Sequence, residues 1–194
     1  MELTNKNYHS FKDLTVFPHD QLVKLFLSIP KATTLGILRK FDKSYTEQLF
    51  NSAPHHLAKQ WRMSLMYERD TVGELMQPAP LVLNENLTIK EAVDLVREIP
   101  KQILFTYGMV VNDNNELTGV LVFRDIIYHE SGELLKDISF KDPVCFDFNE
   151  NVLEVFIKIA GKQIPEYPVL NDKKQLLGIL RGSHVAESHA LDIM

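Results

Sequence analysis

The sequence has 194 residues, 45% of them hydrophobic and 24% charged, which is apolar material for one or two compact cores and too much for a disordered chain. Its formal net charge of -5 argues against a broad basic face for nucleic acid and leaves room for cations. Cys145 is the only cysteine, so a disulfide framework and a paired-cysteine metal site are excluded and a reducing cytoplasm is expected; no apolar run approaches the roughly 20 residues that span a bilayer, because Leu22 to Ile29 is broken by Lys24 and closed by Pro30.

Met1 to Phe17 mixes Lys6, Lys12 and Asp13 with scattered aromatics and has no apolar stretch leading to a small-residue cleavage site. Residues 1–19 therefore read as a loosely tethered arm and not as a secretory signal. From 20 to 66 the periodicity is helical. Leu22, Leu25, Phe26 and Ile29 share one face, Leu35, Ile37, Leu38 and Phe41 repeat the spacing, and Leu57, Trp61 and Leu65 follow after Pro54. Breaks at Pro30, Asp42 and Pro54 predict short helices stacked as a small superhelix.

After Asp70 short β-type runs alternate with helices, and the pattern occurs twice, over 67–133 and 134–194. Asn84-Glu85-Asn86 recurs as Asn149-Glu150-Asn151, each after a β-rich run. Thr88 with Glu91 and Asn151 with Glu154 have capping-box spacing and open helices whose apolar faces carry Ala92, Val93 and Val96 or Val155, Phe156 and Ile159. Met109 to Leu121 then aligns without a gap with Pro168 to Leu180, placing Gly119 opposite Gly178, 59 residues on. A polar Asn-Asp turn between apolar runs predicts a hairpin, and the glycine permits a bulge or a close backbone approach. Further helices are expected from Phe123 and Gly182. One β-α-β-β-α unit of this size cannot bury both faces of its sheet, so the two are expected to pack sheet to sheet as a pseudo-twofold pair, creating two related clefts. The predicted class is α+β, with an all-helical segment followed by the two repeats.

The two copies resemble CBS domains. The junction from Tyr67 through Glu68, Asp70, Gly73 and Glu74 to Met76, together with Gly119-Val120-Leu121-Val122-Phe123-Arg124-Asp125-Ile126, is similar to the cytosolic part of MgtE-type magnesium channels. In that family a helical domain and a CBS pair form a dimeric cytosolic sensor that closes a membrane pore when magnesium binds acidic residues between domains. The resemblance implies a non-catalytic regulatory module acting on an attached pore or a separate transporter.

CBS pairs often bind adenosine nucleotides through a hydroxyl residue, two variable positions and an aspartate that opens the helix after the hairpin. A carboxylate accepts from both ribose hydroxyls, and a hydroxyl with the helix N-terminus suits a phosphate. Asp125 matches that aspartate, beside Arg124, while Val122 stands at the hydroxyl position. In the second copy Arg181 takes the hydroxyl position and His184 that of the aspartate. AMP, ADP or ATP is therefore expected in the cleft of Asp125, with Arg181 as a candidate phosphate contact; the alternative for Asp125 is an acid that caps backbone amides. For magnesium, which needs several oxygen ligands, Glu68, Asp70 and Glu74 at the junction are expected to converge with Glu187 or Asp192.

His55, His56, His184 and His189 lack the spacing of a zinc set, and Ser183 beside His184 lacks a strained nucleophile turn, so catalysis is not expected. Two readings remain: a ligand-sensing homodimer, associating through apolar helix positions such as Ile126, Ile127, Val185 and Ala186, or a ligand-free scaffold whose clefts are filled by side chains.

Overall fold

The computed structural model describes residues 11–101 and 103–190, with side chains from 14 to 186 apart from 102. They form two compact units, one of the residues up to Tyr67 together with those from Glu187 on, the other of Glu68–Ala186.

The first unit begins with a 3-10 turn, Phe11–Val16, inside the stretch expected to be an arm, and Leu14 and Phe17 already lie against the helical core. Four helices follow: α1 (His19–Ser28), α2 (Lys31–Leu38), α3 (Lys43–Ser52) and α4 (His55–Leu65). Pro18, Pro30 and Pro54 occupy the N-cap positions of α1, α2 and α4, where the fixed proline φ suits the entry and no amide is needed. Asp42 caps α3 by accepting from the Tyr45 amide at 2.9 Å. The periodic residues meet in one core in which Phe26 packs edge-on to Trp61, their centroids 6.0 Å apart.

The second unit starts with a single helical turn, α5 (Val72–Leu75). Two copies of one motif follow. The first comprises β1 (Val82–Asn84), α6 (Ile89–Arg97), β2 (Tyr107–Val111), β3 (Leu117–Val122) and a 3-10 turn, Phe123–Tyr128. After α7 (Leu135–Ile138) come β4 (Phe146–Asp147), α8 (Val152–Ile159), β5 (Glu166–Leu170), β6 (Leu176–Arg181) and α9 (Gly182–Ala190). In each three-stranded sheet the central strand pairs parallel to the first and antiparallel to the third. The hairpin turns are built alike. Asn112 and Asn171 each accept two amides on the side-chain oxygen, while Asn115 and Lys174 take φ near +60°. The capping box closes fully at Thr88 and Glu91. Asn151 instead accepts from the Leu153 amide, and Glu150, one residue earlier, accepts from the Asp147 amide.

The copies exchange their leading segments. Gln77, ahead of β1, pairs with Ile179 of β6 through reciprocal backbone bonds of 2.9 and 2.8 Å, and Phe140, ahead of β4, pairs with Val120 of β3 through two of 2.9 Å. Each crossing passes over a hairpin glycine. A Cβ on Gly178 would sit 2.4 Å from the Gln77 carbonyl, and one on Gly119 would sit 2.6 Å from Ser139 Oγ. The division at 133/134 is thus one of sequence, because the segment before each copy completes the sheet of the other. Between the sheets lies a core of Met109, Val111, Val120, Leu176 and Ile179.

Candidate functional site

The crossing at Phe140 makes one side of a cavity of about 340 Å³, whose other side is β3 and the 3-10 turn after it; Val122, Asp125, His129, Ser139, Phe140 and Lys141 line it. The Asp125 side chain is half exposed, and its carboxylate faces the Arg124 guanidinium at 3.2 Å. It accepts from no backbone amide among the described residues, so the capping alternative is not what this carboxylate does. Both oxygens retain acceptor capacity toward the cavity. Across from it Lys141 Nζ donates to Ser139 Oγ at 3.3 Å, and His129 Nδ1 lies 3.1 Å from Glu133. Hydrogen bonds from the Glu130 amide and from His129 hold the Glu133 carboxyl below its ordinary range. The cavity therefore sets a carboxylate opposite an ammonium and a hydroxyl, over an apolar floor of Val120, Leu121 and Ile138.

The second copy offers a different surface at the equivalent place. Arg181 is the ladder partner of Glu166, and its Nη2 donates to the Leu104 carbonyl at 3.0 Å while lying 3.4 Å from Glu166 Oε1. The arginine expected to meet a phosphate is thus already engaged. Lys141, Ser139 and Glu166 were not legible as site residues. Glu166 and Arg181 are the charged residues of β5 and β6, set opposite each other about the turn, and that hairpin register is the signal that finds their pairing.

At the junction, Glu74 is buried and turns back to accept from the Asp70 amide at 2.9 Å, while the Thr71 side chain caps the turn at the Glu74 amide. Glu68 and Asp70 are exposed, and Asp70 lies 3.7 Å from Arg69. Among the described residues no three His, Cys, Asp or Glu side chains come together to hold a metal ion. The Glu187 side chain and Asp192 lie outside the described residues. Of the helix positions expected to be uncovered, Ile127 and Ala186 are exposed and Ile126 is half-buried, but Val185 is fully buried and is not a free surface for association. No described helix is long and apolar enough to cross a membrane.

Comparison with known proteins agrees with this architecture. The magnesium transporter MgtE of Bacillus subtilis is 28% identical over 126 residues, covering 63% of this chain and 28% of that protein. The chain spans about a third or less of the curated relatives it matches. The soluble part of a magnesium transporter superposes with a TM-score of 0.75 at 20% identity, over 98% of this chain and 75% of that one. The cytosolic domain of the Mg2+ channel MgtE in complex with ATP superposes with a TM-score of 0.74 at 23% identity, over 95% and 74%. The CBS domain model matches twice, over residues 72–132 and 135–189, and with more than half of its length so matched the chain belongs to the CBS-domain family.

Proposed function

We propose that this chain is a non-catalytic cytoplasmic regulatory module that binds an adenosine nucleotide in the cleft of Asp125 and relays its occupancy, as a homodimer, to a magnesium-transport partner or pore. The observation that carries the reading is the Asp125 carboxylate, which takes no backbone amide and borders a cavity with Lys141 and Ser139 opposite. Asp125 accepts from the ribose hydroxyls, the Lys141 ammonium and Ser139 hydroxyl meet phosphate, and Phe140 with Val122 covers the base or sugar face. A solved relative of the same fold holds ATP, which supports the ligand class. The self-satisfied Glu74 favours a nucleotide over magnesium as the ligand read here. Leu95 on α6, Leu153 and Ile157 on α8, and Ile127 are exposed apolar side chains on helical turns of both repeats, which supports pairing with a second copy.

The scaffold reading has Val122 and the engaged Arg181 in its favour. Calorimetric titration of the full chain with AMP, ADP and ATP separates the two. One nucleotide per chain is expected, and Asp125→Ala removes a charged hydrogen-bonding group worth about 1.5–3 kcal/mol, raising Kd roughly 10- to 150-fold. No heat from wild type selects the scaffold, and equal binding heats from wild type and variant show that Asp125 does not hold the nucleotide.

A further inference from the structure

The ladder pair Glu166 and Arg181 stands where the first copy has Tyr107 and Val122, the equivalent partners in its own hairpin. A charged pair thus replaces an uncharged one at the position equivalent to Val122, which lines the cavity of the first copy. Glu166 is only 5% exposed, and a carboxylate so far removed from water requires compensation. Its Oε1 has the Arg181 guanidinium at 3.4 Å and its Oε2 accepts from the Thr106 amide at 3.4 Å. Arg181 reaches on to the Leu104 carbonyl. Both contacts to the 104–106 segment join the loop ahead of β2 in the first copy to the sheet of the second, across 60 and 77 residues of sequence.

We infer that Glu166 is a resident anion for Arg181: it closes this guanidinium to phosphate and, with Arg181, clamps the loop of the first repeat to the sheet of the second without any ligand. The guanidinium at this position suits a phosphate oxygen by charge and geometry. A phosphate arriving there meets the Glu166 carboxylate on the same donor group and is repelled. Arg181 also keeps Nε buried without a hydrogen-bond partner among the described residues, so the arginine has donor capacity beyond what Glu166 and Leu104 use. The inference does not depend on what the first cleft binds, since it concerns the opposite wall and the ties between the copies.

The test titrates inorganic phosphate into the full chain and follows amide exchange. Glu166→Gln keeps the shape of the side chain and removes its charge. Phosphate affinity is expected to rise at least about tenfold over wild type, and the further change Arg181→Met is expected to abolish that gain. If Glu166→Gln binds phosphate no better than wild type, the resident-anion role is overturned. The double variant Glu166→Met, Arg181→Met fills the same space with apolar atoms and addresses the clamp. Exchange at the Thr106 amide is expected to accelerate at least about tenfold in it, and exchange equal to wild type overturns the clamp whether or not Glu166→Gln folds. Nucleotide binding at the first cleft is read on Asp125→Ala alone and enters neither comparison, so a failure here is distinct from a failure of the nucleotide reading.

Discussion

The two repeats share their hairpin turns, their glycine crossings and their sheet order, yet fill the space between sheet and following helix in opposite ways. The first sets Gly108 in β2 beneath Phe123, whose ring lies about 3.5 Å from where a Cβ on that glycine would be and packs edge-on to Phe105. The second puts Tyr167 at the strand position and Gly182 at the helix position, with the Tyr167 ring 3.9 Å from a Cβ on Gly182. Large and small have changed places. Close packing conserves the filled volume of such a site and not the identity of either contributor. The cleft wall is under no such constraint, which is why Val122 and Asp125 in one copy correspond to Arg181 and His184 in the other, with different chemistry on a shared backbone.

The sharpest way to break this equivalence is at the crossings. Gly178→Ala drives a Cβ into the backbone carbonyl of Gln77, whereas Gly119→Ala first meets the Ser139 hydroxyl, which can turn aside, and only then the Phe140 carbonyl at 2.9 Å. Gly178→Ala is expected to cost about 3 kcal/mol and Gly119→Ala about 1–2 kcal/mol. Denaturant unfolding of both variants measures the gap, and equal losses would mean that the two crossings tolerate crowding alike.

The reciprocal packing is tested by moving volume from one partner to the other. Phe123→Gly leaves the space above Gly108 unfilled and is expected to cost about 2–3 kcal/mol. Adding Gly108→Tyr on that background imitates the second repeat and is expected to recover part of the loss. Recovery stays incomplete because the new Cβ meets Leu83 at 2.9 Å. A double variant less stable than Phe123→Gly alone would show that the two sites are not interchangeable.

The smallest effect concerns the hydroxyl that the swap carried inside. Tyr167 is 1% exposed, its hydroxyl has no partner among the described residues, and burial raises its pKa above the usual phenol value. Tyr167→Phe removes an unsatisfied buried group and is expected to stabilise the protein by up to about 1 kcal/mol. Because the folded-state pKa is raised, the ionised phenol disfavours folding, so wild type loses stability as pH rises above the ordinary phenol pKa of 10.0 and the variant does not lose that part. A variant less stable than wild type at neutral pH would reveal a function for the hydroxyl.

Much of this fold was legible because the hairpins align residue for residue: Gly119 and Gly178 admit a bulge or a close backbone approach, and each hairpin has a register shift near its glycine as well as a crossing segment over it. The exchange of leading segments was not legible, since the strands that make it are single paired residues, Gln77 and Phe140, too short to have a period. At the site, Asp125 was readable from its distance to the glycine, and Val122 and Arg181 were readable as departures. What Arg181 does was not, because its partners Glu166 and Leu104 are supplied by hairpin register and by the other repeat. Glu74 is ambiguous in sequence for a related reason: an acid three residues after Thr71 suits a helix start as well as a metal ion, and only the fold sets its carboxylate against the Asp70 amide.

The exchanged segments also set the order in which the chain can be completed as it leaves a ribosome. Val120 finds its outer neighbour once Phe140 has been made, so the first sheet closes over a loop of some twenty residues, a small entropic cost. Gln77 must wait for Ile179, about a hundred residues later, with its backbone groups unpaired in the meantime. Synthesis at several residues per second makes that interval many seconds long, during which the edge of the junction is open to wrong pairing, most directly with Val120, the counterpart of Ile179 that appears first. Gly119 and Gly178 each leave room for a crossing backbone, so the arrival of Phe140 over Gly119 closes the first edge to Gln77 and leaves it for the second.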